Sequence, residues 1–171
     1  MTDKRPTYDE FFKAYAEIQE RVERFALYLT HRRDSAAELV SESVLACALR
    51  FHDVRDSKAL LSFIFTMMLR LHHASRRRSQ RQVPHEPEAF DMMIGEQMSP
   101  DTQADIRILN DAMNLLPDAW RETLILAYIF DLPLSDVARI RKTSVGAVKM
   151  VLARAKQRLN KMLVEETANE Q

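Results

Sequence analysis

The sequence predicts an all-α protein built as two small helical domains, and three observations carry that reading. Only two glycines, Gly95 and Gly146, occur in 171 residues, so the turn chemistry that hairpins need is scarce. Long stretches consist of Ala, Leu, Met, Glu, Arg and Lys, the strong helix formers. Apolar residues recur at three- and four-residue steps instead of alternating. At 46% apolar, the chain has enough material for packed cores, which excludes wholesale disorder.

Taken in order, "YDEFFKAYAEIQERVERFALYLTHRRD" sets Phe11, Tyr15, Ile18, Val22, Phe25 and Leu29 on one stripe of a long first helix. A second helix starts near Asp34 or Ser35, either a suitable N-cap, and carries Leu39, Val44, Leu45, Ala48 and Leu49 inward. "HDVRDS" breaks the pattern, and Ser57 can cap a third helix, "KALLSFIFTMMLRLHHASRRRSQRQ". That helix is apolar nearly all round through Met68, as expected for the central element of a bundle, and ends in Arg76, Arg77, Arg78 and Arg81. Residues 8–82 thus make an N-terminal helical bundle. Residues 83–104 hold three prolines, one glycine, five acids and no Lys or Arg, which predicts an acidic linker. Its "FDMMIGEQM" keeps apolar residues that can dock on a partner or a domain.

The C-terminal domain spans residues 105–163. "DIRILNDAMNLLP" gives an amphipathic helix from about Asp105, stopped by Pro117; "DAWRETLILAYIFD" gives another, and Pro133 forces a break. In "SDVARIRKTSVGAVKMVLARAKQRL" Ser135 can cap a short helix that buries Val137, Ala138 and Ile140. A turn of about three residues follows, and Ser144 can cap a second helix with Val145, Val148, Leu152, Ala155 and Leu159 inward. Its other side carries Lys149, Arg154, Lys156 and Arg158. A helix pair of this kind suits a DNA major groove, although helical hairpins with one basic face also occur in proteins that never touch DNA.

The net charge of zero conceals a segregation. Residues 1–82 hold 15 Lys/Arg against 11 Asp/Glu, residues 83–118 one against eight, and residues 119–161 nine against three. This layout suggests two anion-facing modules around an acidic connector, or ordinary solvated faces.

Several function classes are disfavoured. The longest apolar run, "LLSFIFTMML", is about half of the roughly 20 residues a membrane span needs, so no membrane insertion is expected. The first residues are too polar for a secretory signal. One cysteine allows no internal disulfide and fits a reducing, cytoplasmic setting; Cys47 sits among apolar positions as a small core residue. His31, His52, His72, His73 and His85 lack metal-ligand spacing, so no metal and no cofactor are expected. Glu38 and Glu42 share a helix face, but no nucleophile or His is arranged with them; a solvated face or a partner contact fits them, and catalysis does not. Trp120, near a helix start, fits packing.

"LPDAWRETLIL…LPLSDVARIRKTSVGAVKMVLARAKQRL" resembles the C-terminal domain of bacterial RNA polymerase sigma factors, above all the two-domain extracytoplasmic-function (ECF) group. Leu116-Pro117, Arg121, Val137-Ala138…Ile140, "SVGAVK" and "RAKQRL" carry the resemblance. "FFKAYAEIQERVERFA", "DSAAELVSESVLACAL" and "SFIFTMMLRLHHASRRRSQRQ" resemble that family's N-terminal domain, so the likeness covers about residues 8–163. It implies a non-enzymatic subunit that binds core RNA polymerase and promoter DNA, with an anti-sigma protein as a further partner. Glu38, Leu39, Ser41 and Glu42 would engage the polymerase clamp, and Arg70, His72, His73, Arg76, Arg77 and Arg78 would approach the −10 element. Ser144, Gly146, Lys149, Met150 and Arg154 would face the −35 element, with Lys156 and Arg158 as further cations. The linker would thread toward the active-site channel.

The chain departs from the family pattern at named positions. Phe63 and "MMLR" stand where a tryptophan and an Ile-Ala-Arg-Asn run are usual, and Ala74 stands where an acid often follows. "RKT" fills a turn that usually holds glycine, and Ala147-Val148-Lys149-Met150-Val151 replaces a Thr-Val-Lys-Ser-Arg pattern. Met150 and Val151 suit thymine methyls or a protein surface. Two other readings therefore stand beside the leading one: a sigma-like protein that sequesters an anti-sigma factor or polymerase without reading promoters, and a regulator that works without polymerase.

Overall fold

The computed structural model describes residues 7–51, 57–79 and 98–169, and within them all regular structure is helical. Most of the expected linker, with His52, Arg81, His85 and Gly95, lies outside the described residues. The chain divides into two compact units, residues 1–93 and 94–171.

The first unit contains α1 (Tyr8–Thr30), α2 (Arg33–Ala48) and α3 (Ser57–Arg78), each packed on the other two. Thr7 caps α1 in a reciprocal box with Glu10: its Oγ1 accepts the Glu10 N–H at 3.4 Å, and its own N–H donates to Glu10 Oε2 at 2.7 Å. The core is apolar and rich in aromatic rings. Phe25 and Phe65 stack at 4.1 Å, Phe11 meets Phe51 edge-on at 5.1 Å, and Val22, Leu60, Ile64 and Met68 fill the space between the helices. Within α1, Ile18 and Tyr15 lie only half-buried at the margin of the stripe.

Helix α2 differs from the expectation in two ways. Its N-cap is Arg32, so Asp34 and Ser35 lie inside the first turn. It buries Ala36, Leu39, Ser43 and Cys47, while Leu45 and Leu49, expected inside, are 62% and 59% exposed. The reason is angular: Leu45 and Leu49 each stand two residues beyond a buried position, about 200° around the helix, and a helix this thin buries a single stripe. Burial pushes the Cys47 thiol up to about 12, so it is protonated and inert at neutral pH.

The second unit contains α4 (Pro100–Asn114), α5 (Asp118–Leu124), α6 (Leu134–Ile140) and α7 (Val145–Asn169), with α7 packed against the other three. Helix α4 begins before Asp105 because Ser99 Oγ caps it, accepting from the Thr102 N–H at 3.3 Å, and Pro100 fits the first helical position. Helix α5 widens into a π-helical turn, Ile125–Ile129, closed by Phe130 N–H on the Ile125 carbonyl at 3.0 Å. Pro133, and not Ser135, is the N-cap of α6: its carbonyl accepts from the N–H of Asp136 and Val137 at 2.9 and 3.0 Å, leaving Ser135 exposed in the first turn.

Candidate nucleic-acid interface

Helices α6 and α7 form a helix-turn-helix whose geometry follows from the local sequence. Val137, Ala138 and Ile140 are buried, as are Val148, Leu152, Ala155 and Leu159 on α7. Val145, expected in that stripe, is 38% exposed because it opens the helix at the edge of the buried face. The turn ends α6 through two backbone bonds: Lys142 N–H to Arg139 O at 3.2 Å and Thr143 N–H to Ala138 O at 2.9 Å. This paired six-to-one and five-to-two closure needs a left-handed residue, and Lys142 supplies it at φ 52°. Ser144 then starts α7, its Oγ accepting from the Ala147 N–H at 3.1 Å.

A part-buried charge pair anchors the turn. The Arg141 guanidinium, at the end of α6, donates to Glu122, which is fully buried on α5. One helical step earlier, buried Arg121 donates to Asn114 Oδ1 at 3.2 Å and lies 3.8 Å from Asp118. Glu122 and Arg141 escaped the sequence reading. The available signal was Glu122 placed directly before the apolar run "TLILAYIF", where a buried acid calls for a cation partner.

With the turn fixed, α7 presents its cations outward. Ser144, Gly146, Lys149, Met150, Arg154, Lys156 and Arg158 are all exposed and fall on the solvent side of one helix start and its next three turns. Lys156 Nζ sits 4.4 Å above the Tyr128 ring, which the π turn holds at the surface. Val151 is half-buried at the rim of the core. The arrangement matches what a major groove requires: an exposed helix with cations placed for phosphates and its N-terminal half free to approach base edges.

The first unit carries two further candidate surfaces. On α2, Glu38, Ser41 and Glu42 are exposed on one face, and Leu45 and Leu49 extend it; Leu39 is buried on the opposite side and serves the core. An acidic face with two exposed leucines four residues apart has the composition of a contact surface. At the end of α3, Arg70, Arg76, Arg77 and Arg78 are exposed, and His73 is half-buried. His72 is buried, because it follows the inward run through Met68 and Leu69 by one helical turn, so it cannot reach DNA without a rearrangement. Among the described residues, no group of three His, Cys, Asp or Glu side chains could hold a metal, and no helix is long and apolar enough to cross a membrane.

Comparison with known proteins agrees with this geometry. A family model described as Sigma-70, region 4 matches residues 106–159, which include the whole helix-turn-helix. Across 85% of its length the chain is 25% identical to the ECF RNA polymerase sigma factor EcfG of Rhodopseudomonas palustris (strain TIE-1), covering 81% of that protein. Across 90% it is 28% identical to the ECF RNA polymerase sigma factor SigM of Bacillus subtilis (strain 168), covering 93% of it. The same fold occurs in the sigma factor RpoE from Bartonella quintana, solved with the anti-sigma factor NepR, at a TM-score of 0.72 and 21% identity over 90% of this chain and 96% of that one. It occurs also in CnrH, solved with the cytosolic domain of CnrY, at a TM-score of 0.67 and 16% identity over 92% and 89%. The family model covers the C-terminal domain, and the two relatives align over 85% and 90% of the chain, so along most of its length the chain is similar to ECF RNA polymerase sigma factors.

Proposed function

We propose that this chain is an alternative sigma factor, a dissociable and non-enzymatic subunit that works in the cytoplasm, binds core RNA polymerase and directs it to promoters. One observation supports the reading above the others: α7 buries Val148, Leu152, Ala155 and Leu159 and turns Lys149, Arg154, Lys156 and Arg158 to solvent on a helix held by a part-buried ion pair. In this reading Ser144, Gly146, Lys149, Met150 and Arg154 face the −35 element, with Lys156 and Arg158 on its phosphates. Arg70, His73 and Arg76 to Arg78 approach the −10 element, and Glu38, Ser41, Glu42, Leu45 and Leu49 meet the polymerase. Residues 8–82 and 105–163 act as the two functional domains, joined by 83–104. The partner class seen with RpoE extends to this chain as an anti-sigma protein that covers these surfaces until a signal arrives.

Addition of the protein to core polymerase and a promoter library yields run-off transcripts from a defined set of sequences. Intact core binding without any selected transcript would sink the promoter-reading claim. The exposed Met150 in the middle of the reading face is the observation that favours sequestration instead, and tight anti-sigma binding with sequence-blind DNA binding would select that reading.

A further inference from the structure

The charged residues of α7 do not occupy its outermost row. Gly146, Met150, Ala153 and Gln157 stand at i, i+4, i+7 and i+11, and all four are exposed. They are offset by two residues, about 200° of rotation, from buried Val148, Leu152, Ala155 and Leu159, so the row faces directly away from the core. Lys149 and Lys156 run along one flank of this row, and Arg154 and Arg158 along the other. The result is a neutral ridge between two lines of cations.

Met150, 51% exposed, is the one bulky side chain in the N-terminal half of the ridge, and its neighbours on the row are Gly146 and Ala153. Internal packing does not require Gly146. A Cβ there would meet nothing closer than Ser144 Oγ at 3.9 Å, and glycine is a poor helix former. The small residues on either side let the helix axis come close to an external surface, with Met150 as the projecting contact. The cations on both flanks make an anionic surface the complementary partner.

We propose that Met150 is a specificity-determining residue of the reading helix, whose side chain packs on a thymine 5-methyl group in the major groove while the flanking Lys and Arg side chains hold the phosphates. The inference rests on the promoter-reading function above. A thioether offers no hydrogen-bond donor and only a weak acceptor, so it reads none of the polar base edges. The thymine methyl is the one apolar feature the major groove displays, and an unbranched, polarizable side chain is well suited to it. The chain therefore trades a hydrogen-bonding readout for an apolar one at this position.

The test uses holoenzyme assembled from the full chain and core polymerase. Duplexes are first selected from a random promoter library, and each thymine of the upstream element is then replaced singly by deoxyuridine, which lacks only the 5-methyl. At one position the parent holoenzyme loses about fourfold in affinity, the effect of one buried methyl group, and Met150→Ala holoenzyme shows no further loss there. Arg158→Ala weakens all duplexes alike and keeps the deoxyuridine penalty. Met150 lies outside the core, so Met150→Ala melts with the parent and its effect is read free of misfolding. Selected duplexes that tolerate every deoxyuridine overturn the inference and leave promoter reading standing. A holoenzyme that selects no sequence overturns both. If Met150→Ala keeps the deoxyuridine penalty but weakens binding to core polymerase or to an anti-sigma protein, the side chain belongs to a protein contact and the inference fails.

Discussion

In the N-terminal unit the largest fully buried side chains are Phe11, Phe25, Phe65, Leu60, Ile64 and Met68, whereas the C-terminal unit encloses a carboxylate, Glu122, against the Arg141 guanidinium. The two solutions suit different tasks. Apolar packing is strong and non-directional, and it leaves the outer faces of α2 and α3 free to carry leucines, acids and arginines without disturbing the core. An ion pair taken out of water contributes little net stability, because desolvation offsets most of the attraction, but it fixes two points in space. Here those points are the middle of α5 and the end of α6, so the pair sets where the turn, and hence α7, emerges. Helix α7 is positioned by a charge clamp, and the outer faces of α2 and α3 by a largely apolar core.

The largest expected effect breaks the apolar side of this comparison. Phe65→Ala removes the ring stacked on Phe25 and leaves a cavity among three helices, costing about 4 kcal/mol. Denaturant unfolding followed by a probe in each unit should show the N-terminal transition move and the C-terminal one stay. The clamp gives the next effect. Arg141→Met leaves buried Glu122 without its guanidinium and destabilises the C-terminal unit by about 3 kcal/mol. Replacing both partners, Glu122→Leu with Arg141→Met, restores most of that stability. The double variant should then fold yet discriminate promoters less well, since the turn has lost its fixed point. Equal destabilisation in the single and double variants would show that the pair does not act as a clamp.

The helical periods were legible where one stripe is unambiguous. Val148, Leu152, Ala155 and Leu159 recur over four turns with cations between them, so the buried face of α7 could be read directly. Helix α2 was not legible in the same way. Its buried stripe is made of Ala36, Leu39, Ser43 and Cys47, two of them small or polar, while its larger apolar residues Leu45 and Leu49 face out. A reading that sends the largest apolar side chains inward fails on a helix that leaves two leucines at the surface. Caps were missed where a proline carbonyl or an unassisted backbone starts the helix, as at Pro133 and Arg32, because no side-chain signature marks them. The Thr7-x-x-Glu10 box was present in the sequence and overlooked. The candidate cations of α7 needed only the helical period to be found, but the Glu122–Arg141 pair spans 19 residues, and no local spacing rule links its partners.

The smallest effect sharpens the comparison at the turn itself. Lys142 is held at φ 52° by the two backbone bonds that close α6, a conformation in which a Cβ crowds the following carbonyl at a cost of roughly 1–2 kcal/mol. Lys142→Gly relieves that crowding, opposed by about 0.4–1 kcal/mol from the greater freedom of glycine in the unfolded chain. The net gain lies between about 0 and 1.6 kcal/mol, and each kcal/mol raises the melting temperature of a unit this size by about 4–8 °C. Lys142→Ala separates the backbone from the charge, because it removes the same cation and keeps the Cβ, and its stability should stay within about 0.5 kcal/mol of the parent. Both variants lose one exposed cation near the reading helix, so any change in the salt dependence of promoter binding should be equal in the two. A glycine variant that melts with the alanine variant would mean that the closure of α6 relieves the crowding without glycine's help, and the turn would then owe its position to Glu122 and Arg141 alone.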